Sequence, residues 1–199
     1  NVRRDLCGSG GRIRPNNDIQ MEEDVFYPVC EWYSMVLPWI RYLRGGNLMY
    51  QAGLVLEGGG MKGAYTSGVL DFFLEKNMEF SSVYGVSAGA VHMCSYLSKQ
   101  KGRSIRISTK YGADPRYCSL ASLLLTGDLF NVKTCYDTVP NKWEPFDYET
   151  YEKYQGKAYA VATNIETGKP EYLPVKECRK GLEKVRASAS LPLVSRNVP

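Results

Sequence analysis

The stretch from Gly53 to Gly89 constrains the fold more than any other part of this chain. Gly53-Leu-Val-Leu-Glu57 is a short apolar run that feeds straight into Gly58, Gly59 and Gly60. That is the pattern of a buried strand passing into a loop whose backbone must come close to something else. Beyond Gly63, Tyr65, Val69, Phe72 and Phe73 recur at i, i+4, i+7 and i+8, the spacing of a helix with one buried face, and Asn77 is a suitable left-handed stop. The glycine loop therefore sits on a helix N-terminus. A second strand over Ser82 to Tyr84 then meets Gly85-Val-Ser87-Ala-Gly89. In a G-x-S-x-G turn the serine sits at a sharp strand-to-helix junction, and the flanking glycines leave room for that backbone. Ala90, Val91, Cys94 and Leu97 continue at helical spacing, so the required context is present. Ser87 is the expected nucleophile, supported by Gly85 and Gly89; the plainer alternative is a tight structural turn.

The glycine loop has three readings. Gly58-x-Gly60-x-x-Gly63 has the literal spacing of a dinucleotide fingerprint, but that reading needs an acidic residue closing the next strand, roughly 20 residues on. Here the next strand ends in the serine turn instead. A phosphate-cradling loop needs Gly-Lys-Ser/Thr, whereas Lys62 precedes Gly63 and Ala64 follows it. The third reading makes Gly58, Gly59 and Gly60 an oxyanion hole. Their N–H groups would face the charge that develops on a carbonyl oxygen when Ser87 attacks it. Two parallel βα turns side by side would bring these parts together.

These residues resemble the patatin-like phospholipases, lipid acyl hydrolases with a Ser-Asp dyad. The resemblance runs from Gly53 to the end of the chain. It rests on the Gly-Gly-Gly-Met-Lys-Gly loop, Gly-Val-Ser-Ala-Gly, Asp114-Pro115-Arg116-Tyr117 and Ala187-Ser188-Ala189-Ser190-Leu191-Pro192. It implies Ser87 as the nucleophile, Gly58, Gly59 and Gly60 as the oxyanion hole, and Lys62 as the basic residue of the family loop, next to Gly63. The implied fold is α/β, a three-layer α/β/α sandwich around a largely parallel central sheet. The implied reaction is acyl transfer from a lipid or phospholipid ester to water through an acyl-enzyme, with no metal and no organic cofactor. The family's catalytic aspartate lies in an Asp-Gly-Gly or Asp-Gly-Ala turn, and these 199 residues contain no Asp-Gly. The expectation is accordingly an incomplete patatin-like domain over 52–199, its C-terminal part missing, with the base beyond Pro199 and the chain alone nearly inactive. The opposing expectation is a non-catalytic truncated protein that binds a membrane surface or a partner.

Composition limits the alternatives. A chain of 199 residues, 44% hydrophobic, supports one domain with an appendage. Its net charge of +4 is spread along the sequence with acids interleaved, which leaves no nucleic-acid footprint and does not oppose an anionic membrane. A lipid substrate, a cytoplasmic location and peripheral contact with a membrane are the matching expectations. Six cysteines form no Cys-x-x-Cys pair, so they read as reduced thiols, with Cys94 and Cys178 as small core residues. With one histidine a zinc site is not expected. That histidine, His92, falls five residues after Ser87, about 140° round the helix, and reads as a helix-flank residue that cannot turn back to the serine.

Residues 1–51 read as an N-terminal extension outside the resemblance. The polar stretch through Asn17 is expected to be disordered, without a signal peptide. Val25 to Leu43 is too interrupted by Glu31, Arg41, Pro28 and Pro38 to span a membrane. It reads as an irregular segment, or as an interfacial anchor through Trp32, Tyr33 and Trp39, with Gly45-Gly46-Asn47 as a linker. Past the serine helix, Arg103, Arg106 and Lys110 share one helical face that usually faces water, and Leu120, Leu123, Leu124 and Leu125 read as core, with an acyl-chain pocket as the alternative. Asp147 caps a helix through Gln155, Ala158–Thr163 and Glu171–Val175 form a hairpin, and Cys178 to Ala189 is a last amphipathic helix. Asp114, Asp128 and Asp137 sit in contexts that usually face solvent.

Overall fold

A computed structural model describes residues 41–44 and 47–199. The expectations for the segment before Arg41, including Cys7, Cys30, Trp32, Tyr33 and Trp39, lie outside the described residues, as do Gly45 and Gly46. Five strands form one sheet in the order β1 (Arg41–Arg44), β2 (Asn47–Leu56), β3 (Met78–Val86), β4 (Lys157–Thr163) and β5 (Pro170–Pro174). The three central strands are parallel and both edge pairs are antiparallel. Arg41–Arg44 is thus an edge strand rather than irregular chain, and Asn47 opens β2 rather than belonging to a linker. Each pairing supplies the backbone partners that the other would lack.

Parallel neighbours need crossovers. The first is α1 (Gly63–Glu75), which joins β2 to β3 and stops at Asn77 with a φ of 50°. The second crossover, from β3 to β4, contains α2 (Ala88–Leu97), α3 (Arg103–Tyr111), α4 (Leu120–Thr126), a π-helical segment over Thr134–Trp143, and α5 (Tyr148–Glu152). A last helix, α6 (Cys178–Ala189), follows β5. Both crossovers step across the sheet in the same direction, so right-handed connections place their helices on one face. Register puts Leu54 beside Val83 and Val83 beside Ala158, with Leu56 and Ala160 flanking Gly85. Those side chains form the floor on which Met93, Cys94 and Leu97 of α2 and Cys178 and Val185 of α6 pack. The opposite face carries Val55, Tyr84, Tyr159 and Tyr172, with the first two tyrosine rings stacked at 5.1 Å. It is partly open, Val55 being 70% exposed. The architecture is α/β with a largely parallel sheet flanked by helices.

Two expectations from periodicity are overturned. Leu120, Leu124 and Leu125 are exposed, at 72%, 86% and 86%, and are not core. The seven-residue helix α4 docks instead by its polar side: Ser119 caps it by accepting from the Ser122 amide, and Ser122 Oγ donates 2.8 Å to the Asp128 carbonyl. The need of that buried carbonyl for a donor decides which face turns inward. Arg103 is buried and not on a solvated face, because Arg103, Ile107 and Tyr111 form the inward stripe of α3; Arg106 and Lys110 of the same set do reach Glu144 near the surface. The helix capped by Asp147 ends at Glu152, short of Gln155, with Thr150 donating to the cap.

Candidate functional site

Ser87 links β3 to α2 with φ 52° and ψ −119°. A non-glycine residue held there costs on the order of 1–3 kcal/mol and persists only where its surroundings over-determine it. Three contacts do so. The Ser87 amide donates 2.8 Å to Ser188 Oγ on α6, and Ser188 Oγ donates in turn to the Val161 carbonyl of β4. At Gly85 a methyl group would stand 2.5 Å from Ala90 Cα, and at Gly89 one would stand 2.3 Å from the Leu56 carbonyl oxygen. Both positions therefore admit only glycine, and the turn is pinned from three strands. A serine on such a turn presents its hydroxyl away from the sheet.

The glycine loop rests directly on this turn. A methyl group at Gly58 would lie 3.0 Å from Ser87 Cβ, so the two backbones touch. Gly60, at φ 53°, begins the 3-10 turn Gly60–Lys62 that leads into α1, and it borders the same cavity as Ser87. Gly59 has φ 167° and ψ 13°, and among the described residues only Lys62 Cβ is within reach of an added methyl, at 3.6 Å. The fold thus brings Gly58, Gly60 and Ser87 together, with Lys62 exposed at the loop's outer edge.

What fixes the loop from behind is His92, which is buried and not a helix-flank residue: it is 6% exposed and wedged between α1 and α2. Ser67 Oγ donates to the Gly63 carbonyl at 3.2 Å and lies 3.3 Å from His92 Nδ1. Among the described residues His92 Nε2, on the other side of the ring, has no hydrogen-bond partner. That nitrogen lies 2.4 Å from where a Gly63 Cβ would be. Burial pulls the imidazole pKa below its usual value, which favours the neutral ring, and the ring works as a spacer behind the loop.

A cavity of about 190 Å³ opens beside Ser87 and Gly60 and is walled by Val91 of α2, Ile107 of α3, Tyr136 and Val139 of the π-helical segment, and Leu182 and Val185 of α6. The Cys135 thiol on its wall is pushed up to about 12 by burial. The hydrogen bond with Cys94 and burial raise the Cys178 thiol as well. These are inert core thiols, as the sequence implied for Cys94 and Cys178. Among the described residues, no group of three or more His, Cys, Asp and Glu side chains is arranged to hold a metal.

Asp128 corrects another expectation, since it is 2% exposed and lines the cavity. Burial opposes its charge, but the Arg196 amide and guanidinium, each at 2.8 Å, more than compensate and hold its carboxyl below the usual range. Asp114 pairs with Arg116, and Asp137 is exposed beside Asn141. The residue of the candidate site that sequence reasoning missed is Ser188. It stands in a stretch singled out for its resemblance, yet 101 residues separate it from the amide it holds, and no local pattern marks that contact.

A family model described as Patatin-like phospholipase matches residues 54–198. Uncharacterized protein YjjU of Escherichia coli (strain K12) is 28% identical over 144 residues, which cover 70% of this chain and 40% of that protein. The chain thus spans well under half the length of that relative. The family match takes in the glycine loop, the Ser87 turn and Ser188 together, and on it this chain belongs to the patatin-like phospholipase family.

Proposed function

We propose that the protein is a serine-nucleophile hydrolase that cleaves carboxylic esters of lipids or phospholipids. The observation that carries this reading is the strained Ser87 turn, clamped by Ser188 and lining an apolar cavity. Ser87 Oγ attacks the ester carbonyl; the C–O bond forms as the carbonyl electrons move to oxygen, and amides of the Gly58–Gly60 loop hold that oxyanion. Collapse expels the alcohol with a proton, and water then releases the acid from the acyl-enzyme. No metal is needed, because positioned amides supply the electrostatics. The base is an aspartate outside these residues, as the family resemblance implies. Asp128 is a poor substitute because both its oxygens are engaged by Arg196. Contact with a lipid surface falls to the exposed Leu120, Leu124, Leu125 and Leu193, the last being 97% exposed. Among the described residues no helix is long and apolar enough to cross a membrane. The test is labelling with a fluorophosphonate probe and peptide mapping: the label is expected on Ser87, and label retained in Ser87→Ala would refute the assignment.

A further inference from the structure

The apolar period that marks α1 in the sequence does not face the protein's own core. Gly63, Ser67 and Leu70 are the buried residues of this helix, whereas Tyr65, Val69 and Phe72 look outward, with Met61 of the preceding turn beside them. Tyr65 is 83% exposed and Met61 63%. At about 100° per residue, Tyr65, Gly68, Val69 and Phe72 fall within one arc of about 100° and form a stripe. The charged side chains of α1 stand off it: Asp71 accepts from the Gly102 amide at 2.9 Å, and Glu75 pairs with Lys101, so both turn toward the start of α3. Lys76 closes the far end, its Nζ 5.5 Å from the Phe72 ring centroid. A helix that is apolar on both faces is ordinarily buried on both. Here one of the two has no cover among the described residues.

The stripe itself says what fits it. Tyr65 and Phe72 stand equally far from the midpoint between Gly68 and Val69, one on either side. A second copy laid antiparallel about a twofold axis through that midpoint sets Tyr65 of each copy against Phe72 of the other, a self-complementary contact with two aromatic pairs. At the axis the surface is flat, since a methyl group at Gly68 would meet nothing within 4 Å. Two helices can therefore approach to the roughly 8–10 Å of ordinary helix packing. The area is sufficient as well. With aromatic side chains offering roughly 150–250 Å² each, Met61, Tyr65, Val69 and Phe72 expose about 400–500 Å² per copy, and a pair comes close to the ~1,000 Å² of a specific interface. A lipid surface fits less well. Helices that lie in a bilayer interface carry lysine and arginine on their polar face, whereas from Gly63 to Glu75 the charged residues of α1 are acids only. We infer that α1 is a self-association surface whose partner is a second copy of this chain, docked antiparallel across Gly68. Because α1 starts at the glycine loop, the contact also covers Met61, the residue after Gly60. The inference does not depend on Ser87 being a nucleophile.

The test reads mass and not turnover. The full chain is run by sedimentation velocity from about 1 μM to about 100 μM, the range in which a small interface assembles. A concentration-dependent monomer–dimer equilibrium is expected. Tyr65→Glu and Phe72→Glu should each weaken it at least about tenfold while the circular dichroism spectrum stays that of the parent, because both side chains are exposed. Crosslinking then reads the axis. Gly68→Cys treated with oxidised glutathione, which takes up the two electrons and two protons, should yield a disulfide-linked dimer in non-reducing electrophoresis. Glu75→Cys, roughly 10 Å along the helix from the axis, should yield no more than the parent with its own cysteines. A monomer over the whole range overturns the inference, and so does a dimer that both glutamate variants leave intact. Crosslinking through Glu75→Cys as readily as through Gly68→Cys overturns the antiparallel register. Co-sedimentation with phosphatidylcholine and phosphatidylglycerol vesicles separates the other occupant: vesicle binding that Tyr65→Glu abolishes, without a dimer, would give the stripe to lipid and overturn the inference as well.

Discussion

Replacing Gly63 with alanine tests how the glycine loop is held. Gly63 has φ −57° and ψ −12°, a helical conformation in which alanine ordinarily stabilises by up to about 1 kcal/mol. Here the new methyl would lie 2.4 Å from His92 Nε2, 2.9 Å from His92 Cδ2 and 3.4 Å from Ala88 Cβ. The imidazole has nowhere to go, being buried and bonded to Ser67. Overpacking of this kind costs about 1–3 kcal/mol, and a displaced ring forfeits its hydrogen bond for a further ~1 kcal/mol. The net expectation is a loss of about 1–3 kcal/mol, the helical gain notwithstanding. His92→Ala removes the obstacle, so Gly63→Ala in that background should be neutral or stabilising by up to ~1 kcal/mol. Urea unfolding of the four proteins closes the cycle, with an expected coupling of about 2–3 kcal/mol. A coupling under ~0.5 kcal/mol would show that His92 does not brace Gly63. Because Gly63 follows directly on the loop, the same variant should slow fluorophosphonate labelling of Ser87.

Ser188→Ala leaves the Ser87 amide without its acceptor and should cost about 1–3 kcal/mol of stability; Ser188→Thr restores an oxygen there and should recover part of it, whereas equal losses in both would make the role one of packing. The depressed Asp128 pKa carries a definite sign: its stabilisation is present above the unfolded carboxylate pKa and is lost as pH falls through the lower folded value. Asp128→Asn should therefore flatten the acid limb of a thermal-stability profile, and an unchanged limb would remove Arg196 from the account. Hydrolysis of a short-chain p-nitrophenyl ester by these 199 residues should be slow, on the order of 10³ over water, and should rise in a chain extended through a downstream Asp-Gly-Gly or Asp-Gly-Ala turn. Equal rates, both lost in Ser87→Ala, would place the base within these residues.

The local features were legible in the sequence because the forces that set them are local. Strand β2 passing into glycines, the Asn77 stop, the Ser87 turn, the β4–β5 hairpin and the span of α6 follow from hydrophobic period, positive-φ tolerance and turn chemistry over a few residues. Glycines at 85 and 89 announce close approach even before their neighbours are known. Periodicity failed where a helix was short or a polar group had a distant partner. The leucines of α4 looked like core, but seven residues cannot bury every side, and the Asp128 carbonyl decided which side turned in. Arg103 looked solvated because charge prefers water, and only the convergence of Ser95, Glu144 and Phe146 on it made burial tolerable. His92 behind the glycine loop, Ser188 on the Ser87 amide, and the cavity between α2, α3 and α6 each join segments far apart in sequence. Such contacts leave no trace in a local pattern, because it is the packing of helices on the sheet, and not the residues beside each one, that sets who meets whom.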